Sequence, residues 1–497
     1  MAIYFFRNTG DVNWGTASNW SLSDGGPADG AVPTSADDAR FTANSGSCTT
    51  NTTPRTCLTL VCTGYANTLT LTNNLVITGG SITLSATMTI TGAAQLIVSA
   101  TATITSNTCV IPNLSIGSGA TMTATCGDVL NVTNLTVSGN NSGTFTINNN
   151  SINVSGNLTL GTAANTNTMA GNTTINLIGT GTWSQNVNAS QFRNPININS
   201  PSGIISCGTF INYGVGTLTY ITGTINAATT TLQTITACTL NVSGMAWGNF
   251  IVSLSVTITL TSNFNCLGAF TFGNSTTSAT VLNGFSIFVG GTLTTVVTTA
   301  ALTGTTTIVM TGNGNIAMNS LTTGYLANNL TIDANGNTIN LVGSLRYRTG
   351  TFRYISGRFI SQLNSSLSIP AAATLIGMNK IFFYTVIITN GIVVTMNEFF
   401  SGRPETPSTI RSVTAGSTYT ISFSDGFEKI AKFVEISDCV LSRPLQLVVI
   451  AHDFPNVRNT GIRYTNQSPN GFPKALPSVV NNMTYPTFLL TSDPTKH

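Results

Sequence analysis

Acid–base chemistry on a saccharide or a peptide needs two carboxylates, or a histidine and a carboxylate, held within reach of one bond. In this 497-residue sequence the acids worth weighing for that work lie late in the chain: Asp425, Glu428, Glu435, Asp438 and the adjacent pair His452-Asp453. His452 and His497 are the only histidines. A His-Asp dipeptide with no nucleophile in reach reads better as a surface turn than as a catalytic pair. No phosphate-binding loop, dinucleotide fingerprint or Ser-His-Asp pattern occurs. Upstream the reagents are fewer still. Between Thr56 and Ile332 the only charged side chains are Asp128 and Arg193. Neither paired carboxylates nor Asp-bound calcium beside a basic residue can be assembled from them. No catalytic residue is assigned, and the expectation is a chain that is not an enzyme.

Metal chemistry fares no better. The nine cysteines are an odd number, and their spacing matches no ligand template. Cys57 and Cys62 could make half a site, but no histidine is near. Small buried residues in a β core is the preferred reading, with no metal and no cofactor expected.

The residue types that make specific contacts are Arg, Tyr, Trp and Phe. They gather after residue 340: Arg346, Tyr347, Arg348, Arg353 and Tyr354, interleaved with Phe352 and Arg358, then Arg403, Arg411, Arg458, Arg463 and Tyr464. Arg346 and Arg348, two apart, share one face if the segment is a strand. We take Arg346, Tyr347, Arg348, Arg353, Tyr354, Arg458, Arg463 and Tyr464 as candidate partner-contact residues. An acidic partner or polyanionic glycan would suit the arginines. The competing reading, preferred for the 346–358 cluster, pairs them with the more charged C-terminal residues. The N-terminal Trp14 and Trp20 offer a rival attachment point.

The elements that would position these residues are legible from periodicity. Charged residues are 7% of the chain, against about 25% in an ordinary soluble protein. Thr, Asn, Ser and Gly alternate with Ile, Leu and Val in runs such as Thr68-Leu69-Thr70-Leu71 or Ile152-Asn153-Val154. That is period-two strand patterning, and no 3.6-residue period persists. Four motifs recur in order. INVSGNLTL at 152–160 returns as IFVGGTLTT at 287–295, and TTINLIGTGT at 173–182 as TTIVMTGNGN at 306–315. LTYITGTI at 218–225 returns as FRYISGRF at 352–359, and TLNVSGM at 239–245 as the shortened TLIGM at 374–378. In this alignment Arg353 replaces Thr219 and Arg358 replaces Thr224. A repeat of this length holds about six solenoid coils of roughly 20–25 residues.

The expected fold is therefore all-β: an elongated, parallel β-helix-like solenoid, with tandem β-sandwiches as the alternative. Residues 1–45 are read as an N-terminal capping or attachment segment and 46–130 as a first solenoid section. Residues 131–266 and 267–402 are the two copies, and 403–497 a small β-rich C-terminal module set off by two prolines. The body, 46–400, would be a rod of roughly 75 Å at the strand spacing, braced by Asn and Thr ladders. Capping is preferred to sugar binding for Trp14 and Trp20. The net charge of +3 is too small and scattered for nucleic acid. The first ten residues lack the basic start and apolar run of a secretion signal. The stretch 381–400 reads as two strands about Asn390-Gly391, not as a membrane span.

The segments GTLT, TYITGT, VSGNLTL and INLIGTGTW, with the opening Asn13-Trp14, Asn19-Trp20-Ser21, Val32-Pro33 and Asp37-Asp38, resemble the Thr/Asn/Gly-rich repeat proteins of tailed bacteriophages. The resemblance covers roughly residues 1–450. It implies a virion structural protein, a fibre, spike or surface appendage, assembled in the host cytoplasm and attached to host or to other virion proteins. Such fibres commonly trimerise, so a homotrimer is expected. A bacterial cell-surface adhesin or sheath protein and a polysaccharide depolymerase are the alternatives.

Overall fold

Short strands cannot satisfy their backbone N–H and C=O groups locally, so each needs a partner strand above and below. The computed structural model describes residues 1–465 except 29–30, 118–120, 140–142, 162–164, 254–255, 274–278, 296–300, 319–323, 403–406, 426, 433, 444–446, 451–458 and 460–461. The chain is 57% strand and winds into a β-solenoid of about 17 turns. No α-helix occurs among the described residues. At about 4.8 Å per turn the rod is about 80 Å long.

In the early turns each coil feeds three parallel stacks. Asp38–Phe41, Thr59–Cys62, Ser81–Thr83 and Ala102–Thr105 pair in succession in the first. Cys48–Thr49, Thr68–Thr70 and Thr89–Thr91 form the second. Arg55–Cys57, Leu75–Ile77, Leu96–Val98 and Val110–Ile116 form the third. Coil length varies along the rod, being short where Leu96 pairs with Leu114 and longer where Leu158 pairs with Trp183. Tandem sandwiches are excluded by this topology. The only antiparallel pairing among the described strands joins Ile3–Phe6 to Trp20–Ser21.

Because the strand period is two, each coil turns alternate residues inward, and parallel register stacks like on like. Leu75, Leu96, Leu114, Leu135 and Leu158 form one such buried column. The outward residues stack too. Asn153 Nδ2 donates to Asn131 Oδ1 at 2.9 Å, Asn176 to Asn153 at 2.9 Å, and Asn197 to Asn176 at 3.0 Å. This amide ladder ties four coils together without charge.

The sequence repeat recurs in the pairing. Asn131, Asn153, Asn176, Asn197, Thr219 and Asn241 are consecutive partners. So are Asn265, Phe288, Val309, Thr331, Arg353 and Ile376, which hold the matching places in the second copy. Side-chain bonds repeat as well. Tyr213 Oη donates to Asn194 O at 3.2 Å, and Tyr347 Oη to Asn328 O at 3.1 Å. Asn194 Nδ2 donates to Thr173 O and Asn328 Nδ2 to Thr306 O, both at 3.0 Å.

The N-terminal residues close one end of the rod. Ile3–Phe6 pairs with Asp38–Phe41, and the two-residue strand Trp20–Ser21 is the last on that edge. A short antiparallel strand is a poor template for further pairing. Trp14 and Trp20 are fully buried with Phe6, Phe41 and Tyr65, ring centroids 4.9–5.9 Å apart. They offer no face to a sugar.

The change of composition at 403 is not a change of architecture. Ser408–Ser412 pairs with Thr385–Ile388, and Tyr419–Phe423 with Val393–Met396, in the same parallel sense as the body. Ser408–Ser412, Tyr419–Phe423, Val434–Ile436 and Cys439–Leu441 thus continue two stacks of the rod, because their backbone groups complete the ladder of the coil below. Lys429–Lys432, Leu447–Ile450 and Ile462–Thr465 form a parallel sheet of their own. Arg403, Glu405 and the tail 466–497 lie outside the described residues. Asn390-Gly391 does separate two strands, but they belong to different stacks and are not a hairpin.

The nine cysteines are all free, and only Cys207 is not fully buried. Burial pushes their thiols up, to about 12 for Cys207, Cys238, Cys266 and Cys439. Since the thiolate is the reacting form, the native chain is expected to show at most one thiol to a thiol-titrating disulfide reagent at pH 8. In denaturant all of them should react. Several reacting at once in the native chain would contradict the packing.

Candidate partner-contact surface

Neighbouring strands of one coil face different directions whenever a corner lies between them, and the 346–358 cluster straddles two corners. Arg346 ends the strand Asn329–Arg346, opposite Ser368. Arg348, past the next bridge, places its guanidinium 4.6 Å from the centre of the Tyr325 ring, a cation–π contact. Arg353 sits between Thr331 and Ile376 on the next stack. Arg358, beyond a register shift, lies opposite Thr338 on the stack after that. The four arginines therefore occupy three faces of the rod and do not form one patch.

Tyr347 leaves the set altogether. It is fully buried, its ring 5.8 Å from Phe352 and its hydroxyl bonded to Asn328 O. Burial also pushes its hydroxyl pKa up. Tyr354 is half-buried, its hydroxyl donating to Gly357 O at 2.6 Å, as Tyr220 does to Gly223 O at 2.7 Å. Arg353, Arg348, Arg358 and Arg411 are exposed. Arg411 stacks over Ile387 in the line that begins at Arg346. Arg463 and Tyr464 lie on the strand Ile462–Thr465, paired with Leu447–Ile450. Arg458 lies outside the described residues, as do His452 and Asp453.

Asp128, Asp425, Asp438 and Glu435 are dispersed and engaged. Asp128 Oδ1 accepts from Ser106 N at 2.8 Å and its Oδ2 from Asn107 N at 2.5 Å. These bonds hold a turn in which Asn107 and Thr108 have φ of 47° and 72°. Lys429 bonds Asp425 at 2.8 Å and lowers its carboxyl pKa. Asp438 is buried, with Oδ1 accepting from Gly416 N at 3.3 Å. Glu435 accepts from Thr409 Oγ1 at 3.4 Å on another strand.

What the cluster does build is a cleft of about 270 Å³ beside Arg353. Tyr354, Ile376, Asn379, Lys380 and Glu398 are among the residues that line it. The local backbone explains it. In the first copy Met245 runs directly into the strand Ala246–Val252. In the second, Gly377, left-handed like Gly244, opens the 3₁₀ turn Met378–Lys380, and the next strand does not begin until Thr385–Ile388. Lys380 and Asn379 were not among the residues singled out by composition. The shortening of TLNVSGM to TLIGM was the available signal, since it marks where the copies diverge.

Neither a protein-family model, nor a curated protein, nor a solved structure matches the chain.

Proposed function

We propose that this chain is a structural rod of a virus particle, a fibre, spike or surface appendage of a tailed bacteriophage, acting as a spacer that attaches to host or to other virion proteins. The observation that carries the reading is the duplicated, nearly uncharged solenoid body. Its coils are tied by backbone ladders and stacked amides, and its exposed arginines concentrate toward one end. Such a body supplies length and stiffness and little discrimination. Catalysis is not part of the proposal, since Asp128, Asp425, Asp438 and Glu435 are spread among separate structural bonds. No helix among the described residues is long and apolar enough to cross a membrane.

Mass spectrometry of purified particles tests the reading. Peptides from this chain are expected at the copy number of a structural component. Their absence from particles, with presence in a bacterial envelope, would move the assignment to an adhesin or sheath protein. New reducing ends or unsaturated sugars, released on incubation with host capsule, would move it to a depolymerase. A homotrimer is part of the same proposal. Sedimentation equilibrium at micromolar concentration should return three chain masses, and a single-chain mass would remove the trimer.

A further inference from the structure

We propose that the cleft between Thr351–Ser361 and the turn Met378–Lys380 binds one acidic sugar unit, a ring bearing a carboxylate. The proposal deepens the attachment reading above and rests on it only for the source of the ligand. The strongest support is internal. The two copies share register, the Tyr–Gly bonds at 220 and 354, and the left-handed glycines 244 and 377. They part at this place, where the start of the strand gives way to a turn, Thr219 to Arg353, and the cleft opens. A structural need common to both copies does not account for cations found in only one.

The lining suits that ligand group by group. Arg353 is exposed and offers a planar fork that matches a carboxylate through two parallel hydrogen bonds. Lys380 supplies a second positive charge to the lining. Ile376, Ile355 and the half-buried Tyr354 ring make an apolar wall for the C–H face of a sugar. Asn397 Oδ1 accepts from Gly377 N at 2.9 Å, which fixes the amide and leaves its Nδ2 to meet a hydroxyl. Glu398 and Asn379 add an acceptor and a further amide. Arg353 and Lys380 are not there to balance Glu398. The ion pairs found among the described residues are Arg40–Asp38 and Lys429–Asp425. The space, about 270 Å³, has room for a single sugar ring.

Calorimetric titration of the full chain with trigalacturonic acid is the test, with galactotriose and hexaglutamate as comparison ligands. Trigalacturonic acid should bind, with affinity falling as salt rises, and galactotriose should be weaker by about tenfold or more. Arg353→Thr restores the residue of the first copy, so it should fold normally and still weaken binding about tenfold. Lys380→Ala, at an exposed site, is the second variant and should do the same. Arg358→Ala, on another face, should change nothing. The proposal falls if trigalacturonic acid gives no binding at millimolar concentration, or if galactotriose binds equally well. It falls equally if both variants bind as the parent does, or if hexaglutamate binds more tightly, which would make the cleft a receptor for an acidic protein. Any of these results leaves the rod proposal standing, because particle mass spectrometry tests that separately.

Discussion

Alanine at Gly171 is expected to remove about 3–5 kcal/mol of stability, the combined cost of a strained backbone and an overpacked contact. Gly171 has φ of 118°, and a Cβ there would lie 2.0 Å from Ile147 O on the coil below. Neither fault can relax alone. Rotating the residue to negative φ breaks the turn, and shifting the carbonyl breaks the ladder. Gly304, at the same place in the second copy, has φ of 113° and meets Leu282 O at 2.0 Å. The matched control is Gly336→Ala, where φ is 74° but nothing lies within 4 Å. That change should cost only about 1–2 kcal/mol, the left-handed penalty. Urea unfolding measures the totals. Hydrogen exchange should localise the damage to Gly143–Asn149 and Asn167–Ala170, because coils in a solenoid depend on their neighbours. Equal losses for Gly171→Ala and Gly336→Ala would show that close approach of successive coils is not what the glycine serves.

A second large effect is expected at Asn328, which is fully buried and donates from Nδ2 to Thr306 O at 3.0 Å and Leu282 O at 3.4 Å. Asn328→Ala leaves a buried carbonyl without its donor and should cost about 2–3 kcal/mol. Asn328→Asp keeps the shape but turns a donor into an acceptor facing carbonyl oxygens. At pH 7 its loss should exceed that of alanine, since a buried unpaired carboxylate is costlier still. The sign with pH then follows. Burial beside acceptors raises the folded-state pKa above the unfolded value of about 3.9. The variant is therefore most stable below about pH 4, where the protonated carboxyl donates to Thr306 O, and loses stability as pH rises through the folded value. Denaturation curves for Asn328→Asp at pH 3.5 and 7, each referenced to the parent, check this. A variant that lost no more at pH 7 than at pH 3.5 would contradict the role given to Nδ2.

Much of this fold is legible in the sequence because its physics is local and periodic. Alternation in Thr68–Thr70 or Ile152–Val154 marks strands, and the recurring motifs set a coil count that the register follows residue by residue. Tyr347 looks like a contact residue because Arg346 and Arg348 flank it. The correction is within reach of the sequence, since Tyr213, its counterpart in the first copy, has no charged neighbour, and the structure gives both tyrosines the same bond. The arginine cluster misleads for a different reason. Proximity along a coil says little about direction, because two corners fall between Arg348 and Arg358. The coil-like nature of residues beyond 403 is hidden by charge and proline, which change solvation and loops without forbidding a parallel ladder at Ser408–Ser412 or Tyr419–Phe423. Trp14 and Trp20 are the apolar cover that their place in the sequence suggests, since an end of the rod must bury its cross-section.

One interruption in the winding has a mechanical meaning. After Thr351–Ser361, the described strands stack on two sides only until Lys429–Lys432. The third side is filled by rings, with Phe359 5.3 Å from Phe383 and Phe383 5.8 Å from Phe400. A pull along the rod loads the hydrogen bonds of each coil boundary in parallel and the boundaries in series. A boundary with two ladders in place of three bears less, and ring contacts, tilted or edge-on, slide where ladders must snap. Under tension the rod would yield between Ser361 and Lys429, releasing slack there while the coils before Ser361 stay wound.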